Sequence, residues 1–130
     1  MYTDPKKAYL STKANTSVHD ASPHRLIALM LDACLENLAV AKGAMARSDV
    51  PGKARAIKKS LDCIVNLQAC LDYEKGGDIA PKLDDLYNFC TNRLALANAS
   101  NDASMIDQVY IVMAEIKAGW AQIEVVDAHD

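Results

Sequence analysis

Seven imidazole and thiol side chains, His19, His24, His129, Cys34, Cys63, Cys70 and Cys90, are the groups best suited to metal binding or nucleophilic chemistry in this 130-residue sequence. A structural zinc site needs four such ligands converging, usually supplied as closely spaced pairs. The sequence contains no C-x-x-C pair, and its histidines fall near the termini or at a helix start. No Glu-x-x-His pair is present to build a carboxylate-bridged centre inside a helical bundle. No C-x-x-C-H attaches a haem. Cys63 and Cys70 share a helical face, yet seven residues of helix hold their backbones about 10 Å apart, too far for a disulfide within one helix. All four thiols read as small buried hydrophobes. Asp84-Asp85 resembles a catalytic carboxylate pair, but adjacent helical residues diverge by about 100° and do not converge on a substrate. Gly76-Gly77 has no Walker-type lysine behind it and implies no phosphate cradle. No metal, no cofactor and no enzymatic reaction are expected.

Composition narrows the remaining classes. Half of the chain is apolar (51%), only 5% is aromatic, and there are five Gly and four Pro. Ala, Leu, Ile and Met carry the apolar load, a mix that favours helix over sheet. Fourteen basic and 17 acidic residues leave a net charge of −3. A nucleic-acid partner would need a concentrated basic face, which Lys6-Lys7 and Lys58-Lys59 are too short to supply. The first residues lack the apolar core of a signal peptide. The greasiest run, Leu26 to Ala41, is interrupted by Asp32, Glu36 and Asn37, short of the ~20 apolar residues that span a bilayer. A cytosolic protein without stable membrane insertion is expected.

The elements that must position any functional surface are helices. Ser22 is placed to cap, Pro23 occupies the first helical position and loses no donor there, and an apolar run follows at once. Residues 1–21 show no period and read as a mobile N-terminal arm. A bundle over 22–126 follows, with helices at about 22–47, 50–75, 78–99 and 102–126 and a tail at 127–130. Asp49 is the expected cap of the second helix, Asp78 or a neighbour that of the third, and Asn101 or Asp102 that of the fourth. Gly76-Gly77 suits a helix end because glycine accepts the left-handed conformation. Short connections force successive helices to alternate, giving an all-α, antiparallel up-down-up-down four-helix bundle.

Two helices carry more apolar surface than one buried stripe requires. On the second, Ile57, Leu61, Ile64 and Leu71 form one stripe, with Ala56, Cys63, Leu67 and Cys70 beside it. On the third, Phe89 and Leu96 stand roughly 60–80° off the main stripe and flank Arg93. Neighbouring helices could cover all of these side chains. Alternatively an apolar groove opens between the second and third helices and receives a partner segment. The candidate lining is Cys63, Leu67, Cys70, Leu86, Phe89 and Leu96.

Several motifs in order resemble one family: Met1-Tyr2, Ala8-Tyr9, Ala21-Ser-Pro-His-Arg-Leu-Ile27, Gly76-Gly-Asp-Ile-Ala80, Leu83-x-x-Leu-Tyr87, Arg93-Leu-x-x-Ala-Asn98, Asn101-Asp102 and Ile116-x-x-x-Trp120-x-x-Ile123. Together they are similar to the flagellar secretion chaperone FliS family. The resemblance implies a helical bundle that binds the disordered C-terminal segment of flagellin as a 1:1 complex. It further implies that premature polymerisation is prevented and that cargo reaches the flagellar type III export apparatus. An export-gate protein and a co-chaperone or regulator are implied as further partners, with Tyr9 implicated in docking the arm and contacting the gate. The other reading of the apolar surplus is a self-associating helical interaction or regulatory module.

Overall fold

The structure, a computed structural model, describes residues 22–127. The arm expected at 1–21, with Tyr9, and the last three residues lie outside them. Four long helices and one short turn make up the described residues: α1 (Pro23–Ala46), α2 (Val50–Ala69), α3 (Tyr73–Gly76), α4 (Ile79–Ser100) and α5 (Ala103–Asp127). No strand occurs among the described residues.

Local chemistry sets most of the helix ends. The Ser22 hydroxyl accepts from the Arg25 amide at 3.1 Å, ahead of Pro23. The Asp49 carboxylate accepts from the Gly52 amide at 3.0 Å. A Cβ at position 52 would collide with that carboxylate, so Gly52 and the cap depend on each other. α1 closes with Ser48 in the left-handed region (φ 56°), its amide donating to the Met45 carbonyl while the Asp49 amide donates to Ala44. These are the paired bonds of a Schellman end, formed here without glycine. α4 ends similarly on Asn101 (φ 54°), with the Asp102 amide donating to the Ala97 carbonyl. The Asp102 carboxylate then accepts from the amide and hydroxyl of Ser104 in the first turn of α5, bonds that hold that carboxyl below the usual carboxylate range.

The second helix departs from expectation. It stops at Ala69 rather than running to about 75, and a separate turn, α3, follows. The Leu71 amide reaches only back to the Gln68 carbonyl, three residues away, a tightened end. Asp72 then takes the Glu74 amide on its carboxylate (3.0 Å) and the Gly76 amide on its carbonyl (2.7 Å). A short polar side chain that captures nearby amides competes with helix continuation, and here it restarts the chain. Gly77, at φ 51°, makes the turn into α4.

The long helices pack as a closed ring: α1 on α2 and α5, α4 on α2 and α5. Cross-links fix the directions. Along α1, His24, Asp32 and Lys42 meet Trp120, Lys117 and Asp107 of α5 in falling order. Between α2 and α4, Lys53 meets Asn98 and Asn101, whereas Gln68 meets Asp84 and Asn88. Both pairs therefore run antiparallel. The core is an unbroken apolar cluster that includes Met30, Leu31, Cys34, Leu38, Ile64, Leu94, Ile106 and Met113.

Two polar ties close the ends of this ring. The His24 and Trp120 rings stack at 4.4 Å, the imidazole Nε2 donates to the Trp120 carbonyl at 2.6 Å, and the indole N–H donates to the His24 carbonyl at 2.8 Å. At the other end the buried Lys53 ammonium donates to the Asn98 carbonyl and the Asn101 side chain, meeting the negative end of α4 with a positive charge.

Asp49→Ala removes the α2 cap and should cost about 1 kcal/mol. A urea titration should show a lower midpoint with an unchanged slope. Gly52→Ala should act in the same direction, because its methyl displaces the capping carboxylate.

Candidate functional site

Helical phase along α4 shows where the apolar surplus goes. Taking about 100° per residue, Ile79, Leu86, Arg93, Phe89 and Leu96 fall in that order across an arc of roughly 100°. The core residues Leu83, Tyr87, Cys90, Leu94 and Ala97 lie on the adjoining arc. The stripe stays open to solvent, with Leu86 40%, Phe89 38%, Leu96 50% and Ile79 59% exposed. Four large apolar side chains in one row on one helix make a continuous surface, unlike singly scattered ones.

The neighbour of that surface is not the one expected. Asp84 and Asn88, which bind the Gln68 amide of α2 at 3.0 and 2.9 Å, stand roughly 160–200° round α4 from Leu86. The flank of α4 turned to α2 is thus polar, and the apolar stripe lies on the flank nearer α5. On α5, Asp107 and Lys117 turn to α1 through their ion pairs. Met105, Val112 and Ile116 lie on the opposite flank, half-buried against the core and next to α4.

The six candidate lining residues consequently separate into two groups. Leu86, Phe89 and Leu96 share the open stripe. Leu67 is 2% exposed and belongs to the core, where its side chain offers nothing to a partner. Cys63 is half-buried beside α1, within 3.9 Å of the Asn37 amide, and Cys70 is the residue that ends α2. The apolar arc of α2 is buried at Ala56, Ile57, Ile64 and Leu67 and half-buried at Leu61, Cys63, Cys70 and Leu71. Of the six, Leu67 is therefore buried, Cys63 and Cys70 are half-buried, and Leu86, Phe89 and Leu96 are exposed.

Two of the four thiols, Cys34 and Cys90, lie inside, while Cys63 and Cys70 are half-buried. Burial pushes Cys34 far above the ordinary thiol range, with Cys63 and Cys90 adding to the effect. Burial likewise raises Tyr87, reinforced by Cys34, Cys90 and Cys70, and pushes Cys90 up to about 11. Such thiols are held as neutral S–H, the opposite of the thiolate a nucleophile or metal ligand must supply. No group of described His, Cys, Asp and Glu side chains has the arrangement of a metal site.

In the sequence Arg93 stands between Phe89 and Leu96 and opens the Arg93-Leu-x-x-Ala-Asn98 motif. Its guanidinium lies over the Phe89 ring, 5.1 Å from the centroid, and the side chain is half-buried in the stripe. No residue signal pointed to His24 and Trp120 as partners, since 96 positions separate them.

A helical bundle whose core is sealed while one helix presents an open apolar row is a protein-binding module in its physical design. The chain belongs to the family described as flagellar protein FliS, whose model matches residues 5–127. It is 44% identical over 114 residues to the flagellar secretion chaperone FliSB of Pseudomonas aeruginosa, covering 88% of this chain and 90% of that relative. The FliS chaperones of Vibrio cholerae and Salmonella typhimurium are 38% and 39% identical, each over 90% of this chain and 86% and 87% of their own lengths. No helix among the described residues is long and apolar enough to cross a membrane.

Two outcomes follow from this placement. Leu67→Asp should abolish cooperative unfolding, because a carboxylate in the core lacks a partner, whereas Phe89→Asp should shift stability by less than about 1 kcal/mol. Circular dichroism melts distinguish them. Stability should also fall above about pH 9, the ordinary value of a thiol such as Cys90. Cys34, Tyr87 and Cys90 keep their protons in the native state while the unfolded chain releases them, so rising pH favours unfolding. Denaturation midpoints measured from pH 7 to 11 would show the decline.

Proposed function

We propose that this protein is a cytosolic flagellar secretion chaperone that binds the disordered C-terminal segment of flagellin. It holds that segment out of premature polymerisation and supports its delivery to the flagellar type III export apparatus. The observation that carries the reading is the open apolar row Ile79, Leu86, Phe89 and Leu96, four exposed apolar side chains aligned on one helix. A segment that folds only on contact gains most from such a row, since apolar burial offsets the cost of ordering it. Family membership supports the export role, because curated relatives spanning most of the chain are flagellar secretion chaperones. The gate contact assigned to Tyr9 and the recruitment of a co-chaperone or regulator rest on family resemblance.

The test is co-expression with the flagellin of the same organism, intact or lacking its last ~40 residues, the length of one or two bundle helices of contact. Only intact flagellin should copurify, as a 1:1 complex. Phe89→Glu and Leu96→Glu should each weaken binding about tenfold or more while the bundle still melts cooperatively. Copurification of the truncated flagellin would assign the surface to something else, and self-association unaffected by cargo would favour the interaction-module reading.

A further inference from the structure

We propose that the α4 face reads one carboxylate on the segment it binds, and that Arg93 is the residue that takes it. This deepens the chaperone reading and rests on it. Most charged side chains that tie the bundle together are paired: Lys42 with Asp107, Lys58 with Asp62 and Lys117 with Asp32. Lys53 is satisfied by the end of α4. Arg25, Arg47, Arg55, Lys59 and Lys82 are exposed to water outright. Arg93 fits neither group. It is half-buried in the middle of an apolar row, and among the described residues no carboxylate or carbonyl oxygen accepts from its guanidinium.

Its surroundings keep it ready for an anion. A guanidinium lying over an aromatic ring uses its flat face for the cation–π contact, leaving its N–H donors in the plane of the group. Those donors form a fork that matches the two oxygens of a carboxylate. Phe89 thus limits the rotamers open to Arg93, and a segment laid over Leu86 and Leu96 excludes water from a pair formed beneath it. An ion pair sheltered in this way is stronger than one on open surface.

The row also defines its occupant. From Ile79 to Leu96 it spans about 26 Å of helix, room for an amphipathic helix of roughly five turns. That helix would set aliphatic residues at i, i+3 or i+4 and i+7 against Leu86, Phe89 and Leu96. One Asp or Glu would fall between them, opposite Arg93. A segment with a lysine there would meet like charge in an apolar setting and be rejected.

The experiment is calorimetric titration of the full chain with flagellin of the same organism, at low and high salt. It compares Arg93→Gln and Arg93→Lys with the unaltered chain. It also uses a flagellin series in which each C-terminal Asp or Glu is neutralised in turn to Asn or Gln. Arg93→Gln should bind about tenfold or more weakly and lose much of its salt dependence, with Arg93→Lys recovering part of the loss. One neutralised flagellin should be equally weak toward the unaltered chain and show no further loss with Arg93→Gln. Binding by Arg93→Gln within about twofold of the unaltered chain would overturn the proposal, as would a flagellin series with no sensitive carboxylate. If Arg93→Gln fails to melt cooperatively, the flagellin series against the unaltered chain decides alone. A dimer that Arg93→Gln breaks without affecting cargo binding would assign the face to a second copy and also overturn it. No flagellin binding by the unaltered chain would instead remove the chaperone reading itself.

Discussion

In a ring of four helices each member has two neighbours, and α4 carries apolar side chains over a wider arc than α2 and α5 can cover. A helix in such a packing buries an apolar stripe of about 100°. On α4 that stripe is filled by Leu83, Tyr87, Cys90, Leu94 and Ala97, four of them fully buried. The α2 flank beyond it is held by the amide bridge from Gln68 to Asp84 and Asn88. Leu86, Phe89 and Leu96 have only the flank nearer α5, where α5 supplies a partly covered apolar edge rather than a lid. The open surface is therefore a consequence of ring closure, and any segment that binds there extends the core outward.

Rigidity of the ring makes that surface usable. Long-range polar contacts tie helices at both ends: the reciprocal His24–Trp120 pair between α1 and α5, and Lys53 on the end of α4 from α2. Each satisfies backbone groups at or near a helix end while fixing helix register. Cys34, Tyr87 and Cys90 lie in the dry middle, where burial keeps them neutral and inert. The polar chemistry of the described chain is spent on architecture, with Arg93 as the cation set into an apolar row.

Two helix beginnings were legible because capping is local, whereas Asp78, the expected cap ahead of α4, makes no side-chain cap bond. Ser22 and Asp49 act within three residues of themselves, so order and residue type suffice to place them. The break after Ala69 was not legible in the same way. Apolar periodicity continues through Cys70 and Leu71, and Leu71 still packs on the core. The interruption comes from Asp72 capturing the amides that follow it, a contest between backbone partners that hydrophobic spacing does not record.

Residue order alone determined that this chain forms antiparallel helices, that α4 has apolar residues to spare, and that Arg93 sits among them. The first follows from short connections and the other two from angular spacing on a single helix, both of which sequence encodes directly. Which neighbour each flank meets was decided only in three dimensions. Part of the α2 arc that looked equally available is buried in the ring, carrying Leu67 into the core and Cys63 against Asn37. A helical wheel measures how wide an apolar arc is but not which helix stands beside it, and on α4 that was settled by one glutamine binding the far side.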